Sequence, residues 1–449
     1  MAEVKICVIG AGSAVFSLNL IRDLVLTPSL YGSTVSLVDI NEERLNAVYA
    51  LMRRLCEETG ARYKLEKTTV RREALRGADF VINTALAAGH QRLREGWAVA
   101  ERLGYRFGGS LHVMHDEAFW INFYQFRLFE EIIEDVLDLC PDAWYIQLAN
   151  PVLAGVTLLG RKYPEAKIVG LCHGYKAVYY LASVLNLDPS RVEYTAPGLN
   201  HFIWLTEFKY EGRDAYPLID RWIEEGAKQH WEKCAPSDAL GPKAVDLYRR
   251  FGAFPIGDTC TPGGGSWPWW YHVDEEAERA WKEDPRGWWR GYFSWLEERV
   301  SETLAVARDS SSRVVDRVAL EKSGEDIVPL IESIACDVPR KLQVNVMNKG
   351  GLVPGFPTDF EVEVPALVDG GGVHPLEVRG LPRPVLAFAL RDRVAPVEVE
   401  LEAYERGSRE ALVQLVTMDP WTRSREQAER LVEKILALPY HEEMRAHYR

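Results

Sequence analysis

Apolar residues alternate with polar segments along the first 175 residues in a repeating strand-then-helix order. Val4–Ile9 is a short apolar run that stops at Gly10-Ala11-Gly12-Ser13, and an apolar spacing of three and four follows through Phe16, Leu20, Leu24 and Val25. Val35–Val38 is a second run, ending in Asp39. Asn41 stands where it caps a helix carrying Leu45, Val48, Leu51, Met52 and Leu55. Asp79–Thr84, Trp144–Ala149 and Ile168–Leu171 are further buried-strand patterns, the second closing on Asn150-Pro151 and the third on Cys172. Strands alternating with helices predict an α/β fold, a parallel sheet with helices on both faces.

The pattern changes near residue 200. Phe202–Tyr210 reads as one antiparallel strand, and helical spacing dominates from about 216 to 335 except for a Gly/Pro/Trp segment at 255–273. Lys341–Met347 and Phe360–Val364 read as strands around a Gly/Pro turn, and helical spacing resumes from about 384. The division expected is a Rossmann-like dinucleotide-binding domain over 1–198. An α+β domain for substrate, metal and oligomerisation is expected over 199–449.

Composition narrows the function. The chain has 449 residues and a formal charge of −13, and the acidic balance argues against a nucleic-acid partner, which needs a basic field. Its longest apolar runs fall short of the roughly 18–20 residues of a membrane span. The first strand begins too early to leave room for a signal peptide. Seven cysteines, widely spaced and odd in number, fit a reduced, cytoplasmic protein. Of 14 tryptophans, seven fall between Trp267 and Trp295.

The glycine loop is the first chemical signal. Gly10 permits a tight turn, Gly12 lets backbone approach a pyrophosphate, and the helix start beyond Ser13 offers free N–H groups. The third glycine of the usual fingerprint is replaced by Val15. Asp39 ends the second strand, placed to accept from both ribose hydroxyls and to repel a 2′-phosphate, which favours NAD over NADP. Three other strand ends carry Asn150-Pro151-Val152, Cys172-His173-Gly174-Tyr175 and Asn200-His201. Chemistry alone makes Cys172 and His201 candidate ligands of a divalent metal, and His173 a candidate acid or base.

In this order these residues resemble glycoside hydrolase family 4, the NAD-dependent glycosidases. The late segment with Asn348, Gly350-Gly351, Pro354 and Val362-Glu363-Val364-Pro365 adds to the resemblance. The resemblance implies a lactate/malate-dehydrogenase-like architecture and a dimer or tetramer. It also implies a redox–elimination mechanism, outside the two-carboxylate scheme of most glycosidases. By that analogy NAD+ oxidises carbon 3 of the sugar and a base removes the proton on carbon 2. The aglycone leaves carbon 1, water adds back, and hydride returns to carbon 3. It further implies Mn²⁺ on Cys172 and His201, substrate or metal contacts for Asn150 and Asn200, and the general acid at His173. For the base, Asp258 is the candidate and Tyr271 the reserve. Asp116 is either a substrate-site residue or the N-cap of the helix through Phe119. Cys172-His173-Gly174 with a following aromatic resembles the α-uronidase branch, which implies a carbohydrate substrate of the α-glucuronide or α-galacturonide class. Arg92, Arg94, Arg102 and Arg106 lie where a uronate partner is sought. The Trp segment, after Gly263-Gly264-Gly265, is expected either to form a carbohydrate-facing lid through Trp269 and Trp270 or to be plain helix packing. A 2-hydroxyacid dehydrogenase on the same fold is the alternative of another class.

Overall fold

A computed structural model describes residues 2–449, with only the backbone given for Ala14, Val15 and Phe16, so the expectations placed on the Val15 and Phe16 side chains lie outside the described residues. The first half builds six parallel strands: β1 (Lys5–Ile9), β2 (Thr34–Val38), β3 (Lys64–Thr68), β4 (Phe80–Asn83), β5 (Trp144–Gln147) and β6 (Lys167–Gly170). Their order in the sheet is β3-β2-β1-β4-β5-β6, the doubly wound arrangement in which chain direction switches beside β1. β1, β4 and β5 are almost wholly buried, as expected of parallel strands covered on both faces. β3, of sequence KLEKT, is a polar edge strand with most side chains in solvent, so it carries no hydrophobic signature and is absent from the sequence reading.

The second half extends the same sheet. It contributes β7 (Val192–Thr195), β8 (Gly198–Leu199), β9 (Phe202–Leu205), β10 (Glu207–Tyr210), β11 (Arg213–Asp214) and β12 (Phe254–Ile256). The remaining strands are β13 (Arg340–Met347), β14 (Glu361–Asp369) and β15 (Gly372–Pro375). β13 lies antiparallel beside β6, with Asn345 opposite Gly170. Beyond it come β14, β8, β9 and β12, so that among the described residues one 12-stranded sheet runs through both halves. The single strand expected at Phe202–Tyr210 is two. β9 joins the large sheet and β10 pairs with β7 and β11 in a separate three-stranded one. Thr206, whose N–H donates to Thr195 O at 2.8 Å, is the crossing point. Helices occupy the expected regions, notably Tyr216–Glu225, Pro242–Phe251, Pro285–Arg308 and Ile327–Cys336, and again from Arg383. The helix after residue 118 spans Phe119–Leu139 and its N-cap is Ala118, without a side-chain cap; Asp116 is therefore not its cap. Among the described residues no helix is long and apolar enough to cross a membrane.

One buried ion pair ties the segment before the long helix to its neighbours. Lys243 Nζ stands 2.7 Å from Glu283 Oε2 with both side chains essentially inaccessible, and Ser237 Oγ donates to the same carboxylate oxygen at 3.3 Å. Removing one partner leaves an unpaired buried charge, whereas replacing both by apolar groups does not. Lys243→Ala is therefore expected to cost about 3–5 kcal/mol in a urea denaturation series. The double change Lys243→Met with Glu283→Leu should recover most of that loss; equal loss in both would exclude the pair as the cause.

Candidate active site

The site lies at the C-terminal ends of the parallel strands, where open α/β sheets bind ligands. After β1, Gly10 adopts φ +83° and a Cβ there would stand 2.7 Å from the Ala85 backbone. A Cβ on Gly12 would meet the Asp39 carboxylate at 2.7 Å, and the Gly12 N–H donates to Asp39 Oδ2 at 2.7 Å. Glycine is thus required at both positions by close packing. Ser13 caps the helix Ala14–Val25 by position but leaves its hydroxyl free of any capping bond. Two apolar side chains stand in solvent on either side of this loop: Ile40, after β2, is 95% exposed, and Leu86, after β4, 49%. A loop of tight glycines, a carboxylate at its shoulder and apolar faces left open beside it fit a dinucleotide.

The remaining loops converge on Cys172. The two-residue turn between β8 and β9 is Asn200-His201, and His201 sits at φ +60°, a conformation uncommon for a residue with a side chain. The Gly257–Cys260 turn after β12 brings Asp258 to the same point, where Gly174 packs closely against Gly257. One ligand atom from each of Cys172, His201 and Asp258 lies within 4.8 Å of the others. Thr261 Oγ1 donates to Asp258 Oδ1 at 2.9 Å and fixes its carboxylate. A fourth loop supplies His115, Asp116 and Glu117. His115 Nε2 lies 3.0 Å from the Gly263 carbonyl and Nδ1 faces the Glu117 N–H at 3.3 Å, which sets the proton on Nε2. Burial pushes the His115 pKa down to about 3, so the ring is neutral. Asn150, following β5, stands beside Asp116 and favours its charged form.

Electrostatics define what this cavity can hold. Burial raises the pKa of Asp116 and, much more, of Glu117. Two residues given no role from the sequence, Glu363 having been quoted only within the late segment, lie beneath: Glu361 and Glu363, alternate residues of β14 and both fully buried. Burial pushes Glu363 up to about 8, and burial with the Glu363 charge pushes Glu361 well above the carboxylate range. The Cys172 thiol is raised well above its ordinary value by burial first and then by Glu363 and Asp258. Burial lowers the His201 pKa against the pull of Asp258 and Asp116, leaving a neutral ring with a lone pair to give. Against these acids, the buried guanidinium of Arg393 donates to Gly264 O at 2.6 Å and keeps the loop over the cluster. Asn200 Oδ1 and His201 Nδ1 are buried without a hydrogen-bond partner. A thiol, an imidazole and carboxylates around orphaned acceptors, in an acid-rich cavity, fit a divalent cation.

Several expected residues stand elsewhere. His173 is 62% exposed, with Glu325 its nearest carboxylate at 3.7 Å. Tyr271 is buried and donates to Asp246 Oδ2 at 2.5 Å, so its hydroxyl is committed away from the cluster. Arg92 lies over the rings of Tyr124 and Tyr440, Arg94 over Phe293 beside Glu297, and Arg106 donates to Val273 O. Arg102 is exposed at the end of its helix. Trp269 packs edge-on against Trp421 and Trp270 against Phe388. They are packing residues, not a lid, because their rings are engaged by Trp421 and Phe388 of the C-terminal region.

Glu363 generates a pH prediction. Its folded pKa is raised, so its contribution to stability is full below the unfolded value near 4.5 and is lost as pH rises through about 8. Glu363→Gln keeps the neutral shape. In metal-free protein the melting temperature of the variant relative to wild type should climb steadily from pH 5 to pH 8 and then level off. A flat difference across that range would show that Glu363 is already ionised.

The comparisons with known proteins agree with this geometry. Residues 5–186 match the sequence profile of family 4 glycosyl hydrolases, and residues 196–422 match that family's C-terminal domain. An α-glucosidase of Erwinia rhapontici is 28% identical, the match covering 92% of this chain and 93% of that one. An α-galacturonidase of Lachnoclostridium phytofermentans is 25% identical, over 97% and 96%. The solved 6-phospho-α-glucosidase from gut microorganisms, in complex with NAD and Mn²⁺, superposes with a TM-score of 0.79 at 19% identity, covering 98% of each chain. Malate dehydrogenase of Plasmodium falciparum shares the fold at a TM-score of 0.53 and 12% identity, over 90% of this chain and 99% of that one. With the profile matches running through both halves, the chain belongs to family 4 of the glycosyl hydrolases.

Proposed function

We propose that this protein hydrolyses α-glycosides of a hexuronic acid, as an α-glucuronidase, with NAD and Mn²⁺ held in the cleft between the glycine loop and Cys172. The observation that carries the reading is the meeting of Cys172, His201 and Asp258 at strand ends shared with that loop. Gly10, Gly12, Ser13 and Asp39 would hold the dinucleotide, and Cys172 and His201 the metal. When bound, NAD supplies reversible hydride acceptance at carbon 3 of the sugar, and Mn²⁺ supplies Lewis acidity toward the oxygens on carbons 2 and 3.

The chain's own residues do the rest. Asp258, braced by Thr261, removes the proton on carbon 2, whose acidity rises once carbon 3 is a ketone. Asn200 offers its unpartnered Oδ1 to a sugar hydroxyl, and Asn150 with Asp116 lines the same cavity. His173, exposed at the rim beside Glu325, protonates the leaving oxygen. Burial of Asp116, Glu117 and Glu361 keeps these carboxyls protonated more readily than in water, so they can donate to the sugar instead of repelling it.

The α-uronide preference rests on Cys172-His173-Gly174-Tyr175 and on the relatedness to an α-galacturonidase. A neutral α-glucoside or α-galactoside is the second reading. It is favoured by the engagement of Arg92, Arg94 and Arg106 away from the cluster. A panel of 4-nitrophenyl α-glycosides of glucuronic acid, galacturonic acid, glucose and galactose separates them, assayed with NAD+, Mn²⁺ and a thiol reductant. The expected result is nitrophenol release fastest from the α-glucuronide and dependent on both additions, with no accumulation of NADH. Cys172→Ser should lower the rate on the order of 100-fold. Steady NADH formation with stoichiometric substrate oxidation would instead identify a 2-hydroxyacid-type dehydrogenase.

A further inference from the structure

A cavity of about 530 Å³ is walled by Pro236, Asp284, Trp288, Tyr292 and Trp295, within the roughly 300–1,000 Å³ of sites that bind small molecules. Its aromatic wall is built by one face of the helix Pro285–Arg308. Trp288 and Tyr292, four residues apart, stack with planes 12° apart and centroids 5.5 Å apart. Trp295 continues the series at 6.1 Å and 30° from Tyr292. Trp295 is 42% exposed, so the series opens to solvent at its outer end.

One wall residue, Trp288, reaches the loop that holds Asp258. The ring edge of Trp288 stands 3.5 Å from where a Cβ of Gly263 would lie, and Asp258 Oδ1 lies 2.7 Å from that same point. The Tyr292 hydroxyl is raised by burial and then by the charges of Asp116 and Asp258. Among the described lining residues there is no Lys or Arg. The one ionisable carboxylate, Asp284, is occupied in capping the helix through the Gly287 N–H at 2.8 Å. An anion gains no partner here, whereas a flat ring with an apolar face gains a stacking surface.

We infer that this cavity is the aglycone subsite and takes a neutral pyranose or aryl ring attached to carbon 1, stacked on Trp288, Tyr292 and Trp295. The inference rests on the glycosidase reading above and adds to it the chemistry of the leaving group. The test compares kcat/KM for the 4-nitrophenyl and methyl α-glycosides of the same sugar, using full-length protein with NAD+ and Mn²⁺. In Trp295→Ala and Trp288→Leu the aryl-to-methyl ratio should fall about fivefold to tenfold. In Trp269→Ala, a change in the packed part of the Trp segment, it should stay at the wild-type value. An unchanged ratio in both pocket variants overturns the subsite; Trp295, at the solvent edge, keeps the test valid should Trp288→Leu fail to fold. If wild type cleaves no glycoside, the glycosidase reading falls on its own, and calorimetric titration with 4-nitrophenyl α-glucuronide decides the cavity. Saturable binding lost in Trp295→Ala upholds a ring site, and no saturable binding removes it.

Discussion

The site depends on an excess of buried and half-buried acid. Asp116, Glu117, Asp258, Glu361 and Glu363 surround one thiol and one imidazole, and Arg393 stands against them from behind the Gly263–Gly265 loop. Like charges in a cavity of low polarity cannot all ionise, so the cavity takes up either protons or a cation. That choice links the protonation of β14 to the ligand state of Cys172 and His201. It also explains why the loops are tied by Arg393 and Thr261 rather than left to the acids, which would push them apart.

The two matched segments of the chain share one sheet. β6 ends in the strand-end loop that carries Cys172, and its neighbour β13 belongs to the second half, pairing at Asn345 and Gly170. β14 carries Glu361 and Glu363 and pairs with β8 at Glu363 and Gly198, two residues before Asn200. The reactive cluster therefore straddles the boundary drawn near residue 198. A cation or sugar bound there would hold both halves, and loosening either would disperse the ligands.

The sequence made legible what depends on local pattern. The parallel strands with apolar cores, the Gly10–Gly12 turn with Asp39, and the reactive residues at strand ends all follow from periodicity and turn chemistry. Cys172, His201 and Asp258 do come together. What escaped depends on long-range contact. β3 is an edge strand with a polar sequence, and Phe202–Tyr210 divides because its two parts find partners in different sheets. Glu361 and Glu363 stand at alternate positions of a strand, and only the covering of β14 on both sides buries them. The Trp-rich segment has one composition but two environments. Trp269 and Trp270 meet the C-terminal helices, while Trp288 and Trp295 share a helix face with Tyr292.

The raised thiol of Cys172 has a bearing on the protein's chemical durability. Oxidants and alkylating agents attack the thiolate, not the protonated thiol. Held protonated by burial and by Glu363 and Asp258, Cys172 is shielded from such damage for as long as its cavity holds no cation. The acids that make the cavity hungry for positive charge thus also act as a preservative, keeping the empty site competent until it is filled.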